Sequence, residues 1–181
     1  MIILEKQGDK SSINLKKNVG ASQILAKLTW TDKVDLDLHA FIITKSGKFE
    51  HIFFSNKGEI EKTPYVKLDK DAGVGAAGGD NEENISVGKI DDIEILVFAT
   101  HIFRFFPFLR FGDNFSKYNG KVVVKSNSGD VIAVPMNSKE KGRWCLIAGI
   151  INNAGGVNVF NINRVEQKEP DRNLLEQLSE N

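Results

Sequence analysis

The sequence contains one cysteine in 181 residues. Alone, Cys145 can form neither an internal disulfide nor a cysteine-rich zinc site, a usage that fits a reducing compartment. Its neighbours Trp144, Leu146 and Ile147 predict a thiol in the core. Net charge is also missing: 24 lysines and arginines balance 24 aspartates and glutamates, so no overall field recruits nucleic acid or an anionic membrane. No apolar run reaches the roughly 18 residues of a membrane helix, and no basic stretch followed by an apolar core opens the chain. The expectation is a cytoplasmic protein without a transmembrane segment. Repeats of 20 to 50 residues, a strand-helix-strand rhythm and a G-x-S-x-G nucleophile motif are all absent. Catalysis therefore has no positive support, and a non-enzyme is expected.

What is present is a succession of short strands with turn signals at close spacing. Residues 1 to 19 read as two short strands around the turn QGDKSS. QILAKLTW (23–30) sets Ile24, Ala26, Leu28 and Trp30 against Gln23, Leu25, Lys27 and Thr29, the pattern of a strand buried on one face. SGK (46–48) turns the chain into FEHIFFSN, and IEILVFATHIF (93–103) reads as a central strand. KVVVKSN and DVIAVPMN flank the turn Ser128-Gly129-Asp130, and two more strands surround Asn153 to Gly156. Asp171 is placed to cap a short helix with Leu174, Leu175 and Leu178 on one side. This pattern predicts an all-β protein, an antiparallel β-sandwich of two facing sheets over residues 1–165, followed by a tail over 166–181 with a short helix.

The stretch VDLDLHA (34–40) combines a strand pattern with a metal-ligand pattern. Val34, Leu36, Leu38 and Ala40 turn to one side, Asp35, Asp37 and His39 to the other. Side chains two apart on a strand are separated by roughly 6.6 Å, so one cation can be held by both aspartates at the roughly 2.3 to 2.6 Å that calcium requires. The same alternation is also what any half-solvated strand shows.

Residues 56–84 shift to a glycine-rich, acidic composition that reads as a long functional loop or a linker. Asp69, Asp71, Asp80, Asn81, Glu82 and Glu83 offer oxygens, and Gly73, Gly75, Gly78 and Gly79 let the backbone turn its carbonyls toward an ion. The EF-hand spacing is missing, and no G-K-S or G-K-T follows the glycines to make a phosphate loop. A solvated loop accounts for this composition equally well on its own. Joined to the DLD strand and to Asn56 after the aromatic strand, it favours a metal site at one rim of a sandwich.

The segment FRFFPFLRF (103–111) is either core or a contact surface. If it protrudes, Phe105, Phe106, Phe108 and Arg110 form a patch suited to a protein partner or a membrane. Two arginines are too few for a nucleic-acid reading. His39, His51 and His101 lie in or beside strands. With an acid they could bind zinc, and the reading adopted for each is a structural hydrogen-bonding residue.

From about Ile3 to Asn163 the chain resembles the TerD domain of tellurium-resistance and general-stress proteins. The resemblance is carried by LEKQGDKSSINLKKN, QILAKLTW leading into DLDLHAFII, HIFFSN, GDNEENISV, ILVFATHI, DNFSKYNGKVVV, and GRWCLIAGI followed by AGGV. It implies a calcium-binding, non-catalytic β-sandwich whose partners include other tellurite-resistance proteins, some of them in the membrane. By similarity, Asp35, Asp37, Asn56, Asp69, Asp80, Asn81, Glu82 and Glu83 hold Ca2+. This chain departs from the family in a sparser acidic end, GGDNEE in place of a GDGDDE-like run, and in the aromatic segment 103–111.

Overall fold

The computed structural model describes residues 1–17, 22–31, 34–69, 81–102 and 112–180. Among these the chain forms β1 (Ile2–Ile3), β2 (Lys10–Ile13), β3 (Ile24–Trp30), β4 (Leu36–Thr44), β5 (Phe49–Ile52), β6 (Val66–Leu68) and β7 (Asn81–Val87). It continues with β8 (Ile93–Ile102), β9 (Asp113–Asn114), β10 (Lys121–Ser126), β11 (Val131–Pro135), β12 (Lys141–Gly142), β13 (Trp144–Asn153), β14 (Gly156–Glu166) and the helix α1 (Arg172–Ser179). One sheet has the order β1-β11-β10-β3-β7-β6 and the other β2-β14-β13-β8-β4-β5, with β9 and β12 paired separately. Only the β1–β11 pairing is parallel among the described strands. The expected all-β sandwich is what the chain forms.

The two sheets meet through the alternating positions that the sequence marks out. Ile24, Ala26, Leu28 and Trp30 of β3 face Leu36, Leu38, Ala40 and Ile42 of β4 across one hydrophobic core. Each fully buried Leu or Ile in it contributes on the order of 1.5–3 kcal/mol. Cys145 belongs to this core, and burial pushes its thiol up to about 12. The β10–β11 turn is closed by Gly129 at φ +103°, a conformation that a side chain would disfavour.

Three features depart from the simple alternation. First, β4 is buried at all nine positions. A second apolar cluster, including Phe41, Ile43, Val97, Trp144, Leu146, Phe160 and Leu175, covers the outer face of the β4-containing sheet. The DLD strand therefore does not present a solvated polar face: Asp37 is 8% and His39 4% exposed. Second, β13 carries a bulge between Leu146 and Ala148 against both of its neighbours. The extra residue shifts the inward parity, so Cys145 and Ile147 point into the core before the bulge and Ala148 and Ile150 after it. Third, the predicted loop 56–84 contains the edge strand β6, and its acidic end is the start of β7 rather than a loop.

The C-terminal helix follows the sequence. The Asp171 carboxylate accepts from Leu174 N–H at 2.9 Å, and Leu175 is fully buried with Leu174 and Leu178 packed beside it against the outer cluster.

Candidate metal site

Local strand geometry decides where each acid points. Successive residues of β7 face opposite sides, so Glu83 turns inward with Ile85 and Val87 while Glu82 turns out. Glu82 pairs with Lys27 of β3 at 2.8 Å, and this lysine lowers its carboxyl below the usual range. Glu83 is 4% exposed and accepts from the backbone N–H of Leu38 at 2.6 Å. β5 pairs with β4 only from Ala40 onward, and Glu83 reaches Leu38 just beyond the end of that pairing.

A second tie holds the same stretch. The indole N–H of Trp30 donates to the Val34 carbonyl at 2.8 Å, and Trp30 lies directly opposite Asn81 on β7. Residues 34–38 are thus fastened at one end through Trp30 and at the other through Glu83, beside the start of β7. Asp35, half-buried, lies between these ties.

The remaining predicted ligands are spread more widely. Asp69 follows β6, is exposed, and donates its backbone N–H to the Asn84 carbonyl at 2.9 Å. Asn56 is exposed and closes a tight turn: its side-chain amide donates to the His51 carbonyl at 2.7 Å, and its main chain bonds reciprocally with Phe53 at 2.9 Å. Asp80 and, in the aromatic segment, Phe105, Phe106, Phe108 and Arg110 lie outside the described residues.

Asp37 stands on the other side of β4. Its cross-strand partner on β8 is His101, and His39 is two residues further along on the same face. One ligand atom from each of Asp37, His39 and His101 lies within 4.8 Å of the others. The Asp37 carbonyl accepts from Thr100 Oγ1 at 2.9 Å, which holds the β4 and β8 backbones together at this level.

The two histidines of this trio line an aromatic pocket of about 440 Å³, together with His51, Phe53 and Trp144 among others. Trp144 ring contacts reach His39 at 4.7 Å and His101 at 4.8 Å between centroids. His39 Nδ1 is 2.9 Å from His51 Nε2, and His51 Nδ1 is 3.2 Å from a carboxylate oxygen of Glu169. His39 Nε2 is buried and has no hydrogen-bond partner.

Burial, reinforced by His51 and His101, holds His39 down to about 2. Burial alone holds His51 down to about 4. Glu169 would favour a charged His51, but it is itself largely solvated and its field is screened, so burial prevails.

The resemblance puts Asp37 and Glu83 in one set of ligands; in the structure Asp37 lies opposite His101 on β8, while Glu83 bonds the backbone N–H of Leu38. Sequence reasoning weighs zinc binding by the three histidines with an acid and adopts a structural hydrogen-bonding role for each, and it gives no role to Trp144 or Glu169 in the site. A period-two reading of HAF, residues 39–41, against THI, residues 100–102, carries the parity of each strand; only the register of β4 on β8 brings the side chains together.

The two-sheet, largely antiparallel sandwich is a TerD-like fold, as its likeness to solved structures shows. The structure is similar to that of a homologue of the telluride resistance protein TerD, SCO6318 from Streptomyces coelicolor A3(2). The TM-score is 0.57 at 16% identity, with 87% of this chain and 98% of that one covered. It is also similar to SAV2460, a protein of unknown function, with TM-score 0.56, 11% identity, and 81% and 94% covered. At these identities the likeness is one of fold. No family model matches the sequence, and no curated protein does. Among the described residues, no helix is long and apolar enough to cross a membrane.

Proposed function

We propose that this protein is a non-enzymatic calcium-binding module of the tellurium-resistance and stress-response type, acting in the cytoplasm through protein partners. The observation that carries the reading is the bond from Leu38 N–H to Glu83, which joins the acidic end of residues 69–84 to the DLD strand. Its donor set fits a hard cation: Asp35, Asn81 and Glu83 offer oxygen at the junction of β4 and β7, and calcium is ligated by oxygen alone. Bound there, calcium supplies the positive charge that offsets carboxylates crowded at one rim. Glu83 anchors the β4 entry, Asp35 adds charge beside it, and Asp69 follows β6.

The test is thermal unfolding of the full chain in calcium and in chelator. Calcium at about 100 times its Kd stabilises by about 2.7 kcal/mol, roughly 5–10 °C for a chain of this length. Asp35→Asn combined with Glu83→Gln abolishes the difference, while Glu82→Gln, on the outward face, leaves it intact. Equal melting temperatures for the unmodified chain with and without calcium overturn the reading.

A further inference from the structure

We propose that Asp37, His39 and His101 form a separate site for a divalent transition metal of the zinc class, with His51 and Glu169 acting as positioning residues behind His39. The site lies on the outer face of the β4–β8 pair and does not depend on the calcium reading.

The donor chemistry selects the metal. Two imidazoles and one carboxylate suit zinc, copper or nickel, whereas calcium takes oxygen ligands. One donor from each residue already lies within 4.8 Å of the others. Donors in a tetrahedral zinc site are roughly 3.3 Å apart, given metal–ligand distances of about 2.0–2.1 Å, so closure requires side-chain movement and no change of register. The backbone beneath is hydrogen-bonded sheet, with Asp37 and His101 directly opposed.

The hydrogen-bond chain settles which nitrogen of His39 is available. A carboxylate only accepts, so the His51 nitrogen facing Glu169, Nδ1, carries the proton. The neutral His51 ring then accepts at Nε2 from His39 Nδ1–H. His39 Nε2 is left as a bare lone pair in a residue only 4% exposed, with no hydrogen-bond partner. A purely structural histidine cluster leaves that atom desolvated and unsatisfied, which native interiors avoid. A metal ligand whose other ring nitrogen is tied to an oriented partner is the arrangement in which such a lone pair is useful.

The surroundings are those of a site with an open position. Trp144 and Phe53 wall the pocket with apolar surface, and Arg143 also lines it. Three protein ligands leave a fourth coordination position facing this space, where water or a small anion can enter.

The test uses the full-length chain freed of metal and titrated with Co2+ as a spectroscopic probe, then with Zn2+. We expect one equivalent to produce intense tetrahedral Co2+ absorption that Zn2+ displaces and excess Ca2+ does not. X-ray absorption at the zinc edge should show imidazole nitrogen together with oxygen. His101→Ala, in a half-buried position, should abolish the absorption while circular dichroism stays native. Glu169→Gln should weaken binding about 10- to 100-fold without removing a ligand. Asp35→Asn with Glu83→Gln should leave Zn2+ binding unchanged, which separates this site from the calcium site. Absence of tetrahedral absorption in the unmodified chain, or a zinc shell of oxygen alone, overturns the proposal whether or not the variants fold. Undiminished binding by folded His101→Ala overturns it as well.

Discussion

Glu83 on one sheet and Leu38 on the other are joined by a 2.6 Å hydrogen bond between a buried carboxylate and a backbone N–H. The bond crosses the sandwich at its rim, where β5 no longer pairs with β4. It places the acidic end of the glycine-rich stretch beside the DLD strand with both groups withdrawn from water.

Glu83→Ala removes the acceptor and leaves the Leu38 N–H unpaired, at a cost of about 1–3 kcal/mol. Urea unfolding should show a lower midpoint with an unchanged slope. Glu83→Gln keeps an acceptor oxygen and is expected to lose less. Equal midpoints for Glu83→Ala and the unmodified chain would show that water replaces the carboxylate at no cost.

Acid should destabilise the metal-free protein earlier than its carboxylates alone require. Both His39 and His51 have folded values below the unfolded histidine value, about 2 and about 4 against 6.5. Between those values and 6.5 the unfolded chain binds more protons, so stability is present above pH 6.5 and is lost as pH falls below it. Each ring adds up to about 1.4 kcal/mol per pH unit to the loss. Burial is the largest cause for both rings, and His51 and His101 add to it at His39. Denaturant unfolding from pH 7.5 to 4.5 in chelator should be flatter for His39→Gln than for the unmodified chain. Parallel profiles would count against a neutral buried pair.

The C-terminal helix should contribute to stability as part of the fold. Leu175 is fully buried against the outer cluster, and Leu175→Ala is expected to cost about 2–5 kcal/mol. Calorimetry should show a drop of several degrees or more. An unchanged melting temperature would mean that the helix leaves the outer face without consequence.

How far the sequence could be read depends on how local each signal is. The inward positions of β3, the Ser128-Gly129-Asp130 turn and the Asp171 cap are set by neighbours one to four residues away, and the structure contains all three. The β13 bulge was not readable, because one extra residue reverses parity without changing composition. Asn81, Glu82 and Glu83 read as a loop end because polarity there outweighs the alternation of Glu83, Ile85 and Val87. Once they lie in a strand, Glu82 and Glu83 must point apart.

The sequence by itself determined the strand-rich class, the inward residues of most strands, the buried cysteine and the capped helix, since period-two patterning and turn chemistry act over a few residues. Only the tertiary structure decided that the outer face of β4 is covered, that Glu83 reaches Leu38, and that Asp37, His39 and His101 converge. Those outcomes depend on cross-strand register and on which layer packs over a sheet, and both are relations between residues far apart in the chain that no local pattern encodes.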